Sequence, residues 1–240
     1  MKKLITLLFV FVFAGSMVFA QNNDADVKQL ADGNDATIEQ TGEENTAYIE
    51  QNADNNDHTQ IQQGIFESDG YNNNASAVTY ASDITGVQKK WGSNNNSRFN
   101  QAASNSSAKT YQVGENQSAL IHQSKGSNNT AIVGQGSPVL ELSLSGLSST
   151  GEGSTGNKIG VKQTGSDNTV LAGQYGIGNS AGSNWWTDKG IHQMGDGNKA
   201  VLGQVGLGNT ASITQDGNRN QTTIIQNDFG SNGQPMPVEN

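Results

Sequence analysis

The stretch NKAVLGQVGLGNTASITQDGNRNQTTIIQ, residues 198–226, decides the fold, because it writes one pattern three times. Asn198, Ala200, Leu202 and Gln204 are followed eleven residues on by Asn209, Ala211, Ile213 and Gln215, and then by Asn220, Thr222, Ile224 and Gln226. The recurrent residues sit at alternate positions, the two-residue period of a β-strand with one face specified and the other free; a helix would scatter them around its axis. Between the copies lie four-residue links, VGLG and DGNR, each with a glycine two residues after the Gln, where a tight reversal asks for positive φ.

Outward from this stretch the unit NxAxΦxQ, with Φ apolar, recurs along most of the chain. Toward the N-terminus it reads NDADVKQ (23–29), NDATIEQ (34–40) and NTAYIEQ (45–51), then more loosely DHTQIQQ (57–63) and NASAVTY (74–80). It continues as NNSRFNQ (95–101), SSAKTYQ (106–112), QSALIHQ (117–123), NTAIVGQ (129–135) and a degenerate LELSLSG (140–146). NKIGVKQ (157–163), NTVLAGQ (168–174) and NSAGSNW (179–185) lead back to the opening stretch, which makes sixteen units. SDITGVQ (82–88) reads as a possible further strand, and TDKGIHQ (187–193) fits the pattern about as well as 179–185 does.

One such strand buries too little to offset its own ordering entropy, so the units must stack. Two strands facing each other across a thin core make one coil, and sixteen units predict an all-β solenoid of about eight two-strand coils, roughly 38 Å tall at about 4.8 Å per coil. Stacking places Asn on Asn and Gln on Gln, where each carboxamide can both donate and accept. The longer interruptions, at 64–73, 81–94, 147–156 and around 180–192, carry Trp91, Trp185 and Trp186 and read as loops projecting from the solenoid edge.

The pattern overrides what composition alone would suggest. With 32% hydrophobic residues and Gly 30, an unpatterned chain would be read as disordered. Residues 1–20 read as a secretory signal: Lys2 and Lys3, an apolar run from Leu4 to Phe13, and small residues before a cleavage after Ala20. That run is too short for a good transmembrane span, so the mature chain is expected to begin at Gln21, to carry no transmembrane segment, and to hold a solenoid over 21–226. The tail 227–240, ending GQPMPVEN, has no pattern and reads as disordered. There is no Cys to staple the fold. Removing Lys2 and Lys3 from 13 basic residues leaves 11 against 22 acidic, 11 − 22 = −11, which disfavours a nucleic-acid partner.

The QxGxGNxA core of 204–211 and 174–181, repeated in register, resembles the curlins, the subunits of curli fibres, and the resemblance spans most of 23–226. It implies an amyloid solenoid whose inward amides stack between coils. Carried over residue by residue, that stacking ladder comprises Asn34, Gln40, Asn45, Gln51, Gln112, Gln123, Asn168, Gln174, Asn198, Gln204, Asn209, Gln215, Asn220 and Gln226. The resemblance also implies self-assembly into fibres for biofilm matrix, adhesion and surface attachment. It implies export through an outer-membrane pore, an accessory chaperone, a nucleator subunit, and a place outside a Gram-negative-type bacterium. The first Ser of the family's repeat is mostly Asn here, and the alternative readings are a monomeric solenoid adhesin or a minor, nucleating fibre subunit.

No catalytic constellation, cofactor or metal site is expected. His122 and His192 occupy the sixth strand position and His58 the second, all on the outward face. Asp and Asn in ADGN (31–34), GDGN (195–198) and QDGN (215–218) read as turn chemistry, since the glycine- and aspartate-rich nonapeptide of calcium-binding β-rolls is missing.

Overall fold

A computed structural model describes residues 22–63, 72–136, 154–182 and 190–228. Its first strands are β1 (Asp24–Gln29), β2 (Asp35–Gln40), β3 (Thr46–Gln51), β4 (Asp57–Gln63), β5 (Asn74–Thr79), β6 (Thr85–Ser93), β7 (Asn96–Gln101), β8 (Ser107–Glu115) and β9 (Ser118–Ser124). The remainder are β10 (Thr130–Gln135), β11 (Lys158–Thr164), β12 (Thr169–Ile177), β13 (Ser180–Ala181), β14 (Ile191–Met194), β15 (Lys199–Leu207), β16 (Ile213–Asp216) and β17 (Gln221–Asp228). Sheet A runs β1-β3-β5-β7-β9-β11-β14-β16, with β13 also on β11, and sheet B runs β17-β15-β12-β10-β8-β6-β4-β2.

Neighbours in each sheet are parallel and in register, so that Ala172 lies over Leu202 and Gln174 over Gln204. Each strand therefore pairs with the one a full coil away, which is a two-sheet β-solenoid. β13 and β14 are two halves of one rung: Ser180 and Ala181 pair with Lys158 and Ile159, while Ile191 to Met194 pair with Val161 to Thr164. Counted so, the seventeen strands among the described residues give sixteen rungs and eight coils.

The core is one side chain thick on each sheet. Ala47 and Ile49, Ala119 and Ile121, and Val170 and Ala172 are buried while their strand neighbours face outward, as the alternation requires. In many rungs a small residue at the third position and a larger one at the fifth fill the gap between the sheets.

The rungs differ from the sequence reading in several places. DHTQIQQ (57–63) and NASAVTY (74–80) are each framed one residue late: Gln62, not Gln63, pairs with Gln40, and Asn73, Ala75, Ala77 and Thr79 are the buried set. A one-residue slip exchanges the two faces of a strand, and Asn72–Asn73–Asn74 gave the pattern three places to start. Residues 81–94 are not a loop: β6 pairs with β4 and β8 throughout, with Trp91 on the strand and Ile84, Gln88 and Lys90 buried. The two readings at 179–185 and 187–193 are halves of a single rung, Asn179, Ala181, Ile191 and Gln193, split at its fourth position between Gly182 and Gly190. Finally, β17 extends to Asp228.

The degenerate unit at 140–146 lies outside the described residues, as do 1–21, 64–71, 137–153, 183–189 and 229–240; β9 pairs directly with β11, and β10 with β12. Within 147–156, Thr155 bridges both Glu115 and Ile177 and so belongs to the stack.

The turns explain the glycine spacing. Gly165 has φ +109, and an added Cβ would lie 2.2 Å from the carbonyl oxygen of Gly195 in the next coil. Gly217, in the last turn, has φ +100, but its nearest contact would be the Asn220 side chain at 3.6 Å. Gly165→Ala is thus expected to lower the midpoint of thermal unfolding well beyond Gly217→Ala, which carries only the backbone strain of about 1–2 kcal/mol. Equal midpoints would show that turn stacking is not what the glycine serves.

Candidate functional site: the polar ladders

Outside the third coil each described rung carries a Gln at its seventh position, and the stack turns these into two columns. In sheet A, Gln101 Nε2 donates to Gln123 Oε1 at 3.0 Å, Gln123 to Gln163 at 2.9 Å, Gln163 to Gln193 at 3.0 Å and Gln193 to Gln215 at 2.8 Å. In sheet B, Gln112 donates to Gln135 at 2.9 Å, Gln135 to Gln174 at 3.0 Å, Gln174 to Gln204 at 2.7 Å and Gln204 to Gln226 at 2.7 Å. The same nitrogens reach across the core to the facing sheet: Gln112 Nε2 to the Asn96 carbonyl, Gln123 to Ser107, Gln163 to Thr130 and Gln174 to Lys158, all at 2.9–3.0 Å. The Gln therefore ties coil to coil and sheet to sheet at once, which is how a buried carboxamide avoids the cost of lost water.

The Asn at the first position makes a second pair of columns at the turns. Its Oδ1 accepts the backbone N–H of the residue one coil on: Asn129 from Asn168 at 3.1 Å, Asn168 from Asn198 at 3.0 Å and Asn198 from Asn220 at 2.9 Å. Its Nδ2 donates to the glycine carbonyl of the next turn, as Asn168 does to Gly195 and Asn198 to Gly217, both at 2.8 Å. Strand start and turn are thereby locked together, and every bond of a kind points the same way along the axis.

Of the ladder residues named from sequence, Asn45, Gln51, Gln112, Gln123, Asn168, Gln174, Asn198, Gln204 and Gln215 are buried. Asn34, Gln40, Asn209, Asn220 and Gln226 are half-buried because they lie in or next to the end coils. Gln29, in the first strand, is exposed and donates to Gln51 Oε1 at 2.9 Å. Gln101, Gln135, Gln163 and Gln193, and Asn73, Asn95, Asn129, Asn157 and Asn179, occupy the same columns, and the repeat spacing alone identifies most of them.

The third coil breaks the columns. Thr79 takes the Gln position in sheet A, Lys90 takes it in sheet B, and Ile84 replaces the Asn. Lys90 is completely buried; its Nζ donates to the Asn74 carbonyl, the cross-core bond a Gln would make. Burial pushes its ammonium well below the ordinary lysine value. Gln101 Oε1 and Gln112 Oε1, the acceptors that face this coil, have no donor, and neither does Gln88 Oε1 inside it. Sequence reasoning missed Lys90 because its position carries no repeat letter. Counting eleven residues from Thr79 finds it.

On the outer surface His122 and His192 flank Lys162 in one row of sheet A. Partial burial, and then the charge of Lys162, push the His122 imidazole below its usual value. Among the described residues no group of three or more His, Cys, Asp or Glu is placed to hold a metal ion, and no helix is long and apolar enough to cross a membrane.

The family model of the curlin associated repeat matches residues 20–52, 31–64, 103–136 and 190–217. No curated protein and no solved structure matches the chain. The matched segments lie on both sides of the irregular third coil, which none of them includes. Curlin repeats are those of a structural amyloid subunit rather than an enzyme family, and the four matches, with regular amide columns in a parallel two-sheet solenoid, show a chain built on curlin repeats.

Proposed function

We propose that the chain polymerises by stacking copies end to end, the last coil of one on the first coil of the next, into extracellular fibres that serve biofilm matrix, adhesion and surface attachment. The observation that carries this reading is the directionality of the columns. In the first-position column Asn Oδ1 accepts from the following coil, as Asn179 does from Asn209 and Asn198 from Asn220, so by the same pattern Asn209 and Asn220 direct acceptors off the C-terminal face. Each described Gln-to-Gln bond runs the same way, from Nε2 to the Oε1 one coil on; at the C-terminal end Gln215 Nε2 donates to the Lys199 carbonyl and the Thr222 hydroxyl, while Gln226 Nε2, with one bond to the Thr210 carbonyl, keeps an N–H for a further copy, and Gln29 Oε1 lies on the opposite face. Among the described residues β1 pairs only with β3 and β2 only with β4, and β16 and β17 likewise have one neighbour each. Both faces expose strand edges, which recruit further strands unless capped.

Secretion as residues 21–240 after removal of 1–20, passage through an outer-membrane pore with a chaperone, and a nucleator at the cell surface of a Gram-negative-type bacterium complete the proposal. They rest on the resemblance to curlins. The expected result for purified mature chain after a day in buffer is thioflavin-positive fibres by electron microscopy, with reflections near about 4.8 and about 10 Å. A β-rich chain that stays monomeric by light scattering overturns this reading in favour of a monomeric adhesin.

A further inference from the structure

We propose that the outer face of sheet A across β7, β9, β11 and β14 is a binding surface for a carboxylated polysaccharide. The observation behind it is how unevenly the charge is distributed along the solenoid. Residues 22–63 hold ten carboxylates and one lysine, 1 − 10 = −9. The described residues from 72 onward hold nine Lys and Arg against six Asp and Glu, 9 − 6 = +3. Nearly all of the negative charge of the mature chain therefore sits in the first two coils.

On sheet A the basic side chains form a band. Arg98 on β7, His122 on β9, Lys158 and Lys162 on β11 and His192 on β14 all occupy outward positions, and these strands, with β13, contain no Asp or Glu. Register pairs His122 with Lys162 and Lys162 with His192, so the row has one basic group per rung, about 4.8 Å apart. The nearest carboxylate in that row is Glu50 on β3, three rungs or about 14 Å from His122. That exceeds the screening length of about 8 Å at physiological salt, so the acidic coils do not cancel the band. Beside the row, Thr164, Met194 and Thr214 line a shallow cleft with Lys162 and His192. Hydroxyls there can meet sugar hydroxyls, and the exposed Met194 offers an apolar surface to a ring face.

The spacing selects the polymer. A polyuronate carries one carboxylate per sugar, close to one per rung, whereas duplex nucleic acid carries one charge per about 1.7 Å and would meet the acidic coils of the same subunit with far greater repulsion. Nor do the outward positions of β7, β9, β11 and β14 offer a Tyr, Trp or Phe on which unpaired bases could stack. Burial, and then Lys162, hold His122 below its ordinary value, so near neutral pH the fixed cations of the face are Arg98, Lys158 and Lys162.

The test uses fluorescent polygalacturonate with the mature chain, both freshly dissolved and after incubation, so the result does not depend on fibre formation. Anisotropy and co-sedimentation are expected to show binding that weakens at least tenfold between 50 and 300 mM salt, with none to dextran. Arg98→Gln, Lys158→Gln and Lys162→Gln combined should weaken it at least tenfold with the circular dichroism unchanged. Should that variant misfold, Leu120→Glu, a single carboxylate beside Arg98 on the outward face, should still weaken binding several-fold. Undiminished binding by a folded variant overturns the proposal. So does tighter, equally cation-dependent binding of single-stranded DNA, which would assign the face to nucleic acid.

Discussion

Replacing Lys90 by Gln is expected to stabilise the folded chain by roughly 2 to 4 kcal/mol near neutral pH, an unusual sign for a change at a fully buried position. Lys90 is confined where the repeat calls for Gln, with a single carbonyl partner and Gln112 Oε1 left without a donor one coil on. A glutamine there would keep the bond to Asn74, supply the missing ladder bond and remove a charge that burial disfavours. The pH dependence follows with its sign. Desolvation holds the folded-state value of Lys90 below the 10.5 of the free side chain, so between those two values the unfolded chain binds more protons. Stability of the natural chain should therefore rise with pH across that window, up to about the ordinary lysine value, and fall as the solution is acidified through it. Lys90→Gln should flatten this part of the profile. Urea midpoints of the two proteins at several pH values read the difference; a destabilised Lys90→Gln with an unchanged pH slope would mean that Lys90 is not held in the column as described. Lys90→Met, with no ladder bond to offer, separates removal of charge from repair of the column.

The second large effect concerns which face of the strands drives assembly. Gln112→Ala with Gln123→Ala removes two buried amides. Gln123 alone receives from Gln101 and donates to Gln163 and to the Ser107 carbonyl. Each loss leaves ladder neighbours without partners at about 1 to 3 kcal/mol, so the pair should lengthen the lag of fibre formation many-fold. Lys109→Ala with His122→Ala changes outward side chains on the same strands, where effects usually stay within about 0.5 kcal/mol. Thioflavin lag times give the comparison, and indistinguishable lags would remove the inward amides from the mechanism of stacking.

How far the sequence reaches differs from coil to coil. Over 95–135, 157–174 and 198–226, alternation of Asn, small or apolar residues and Gln determines strand, face and neighbour together, because a period of two with a buried face tolerates no slip. Even the amide columns follow, since identical residues eleven apart in a two-strand coil must meet every second unit. The acidic opening and the basic later coils are likewise plain in the letters, though only the register gathers Arg98, His122, Lys162 and His192 onto one face.

The tertiary structure alone decided the rest. Asn72–Asn73–Asn74 cannot set its own frame; the frame comes from the neighbouring rungs, where the Asn73 N–H donates to Asn45 Oδ1 and Asn73 Oδ1 accepts from the Asn95 N–H. Nothing local marks Ile84 to Lys90 as a rung, yet β4 and β8 offer parallel edges on both sides, and backbone pairing carries an atypical strand that its side chains would not specify. The rung shared by Ala181 and Ile191 is of the same kind, two short pieces made one by the continuous strand β11 beneath them. In a solenoid most of a strand's bonding is to its neighbours, so a rung can lose its letters and keep its place.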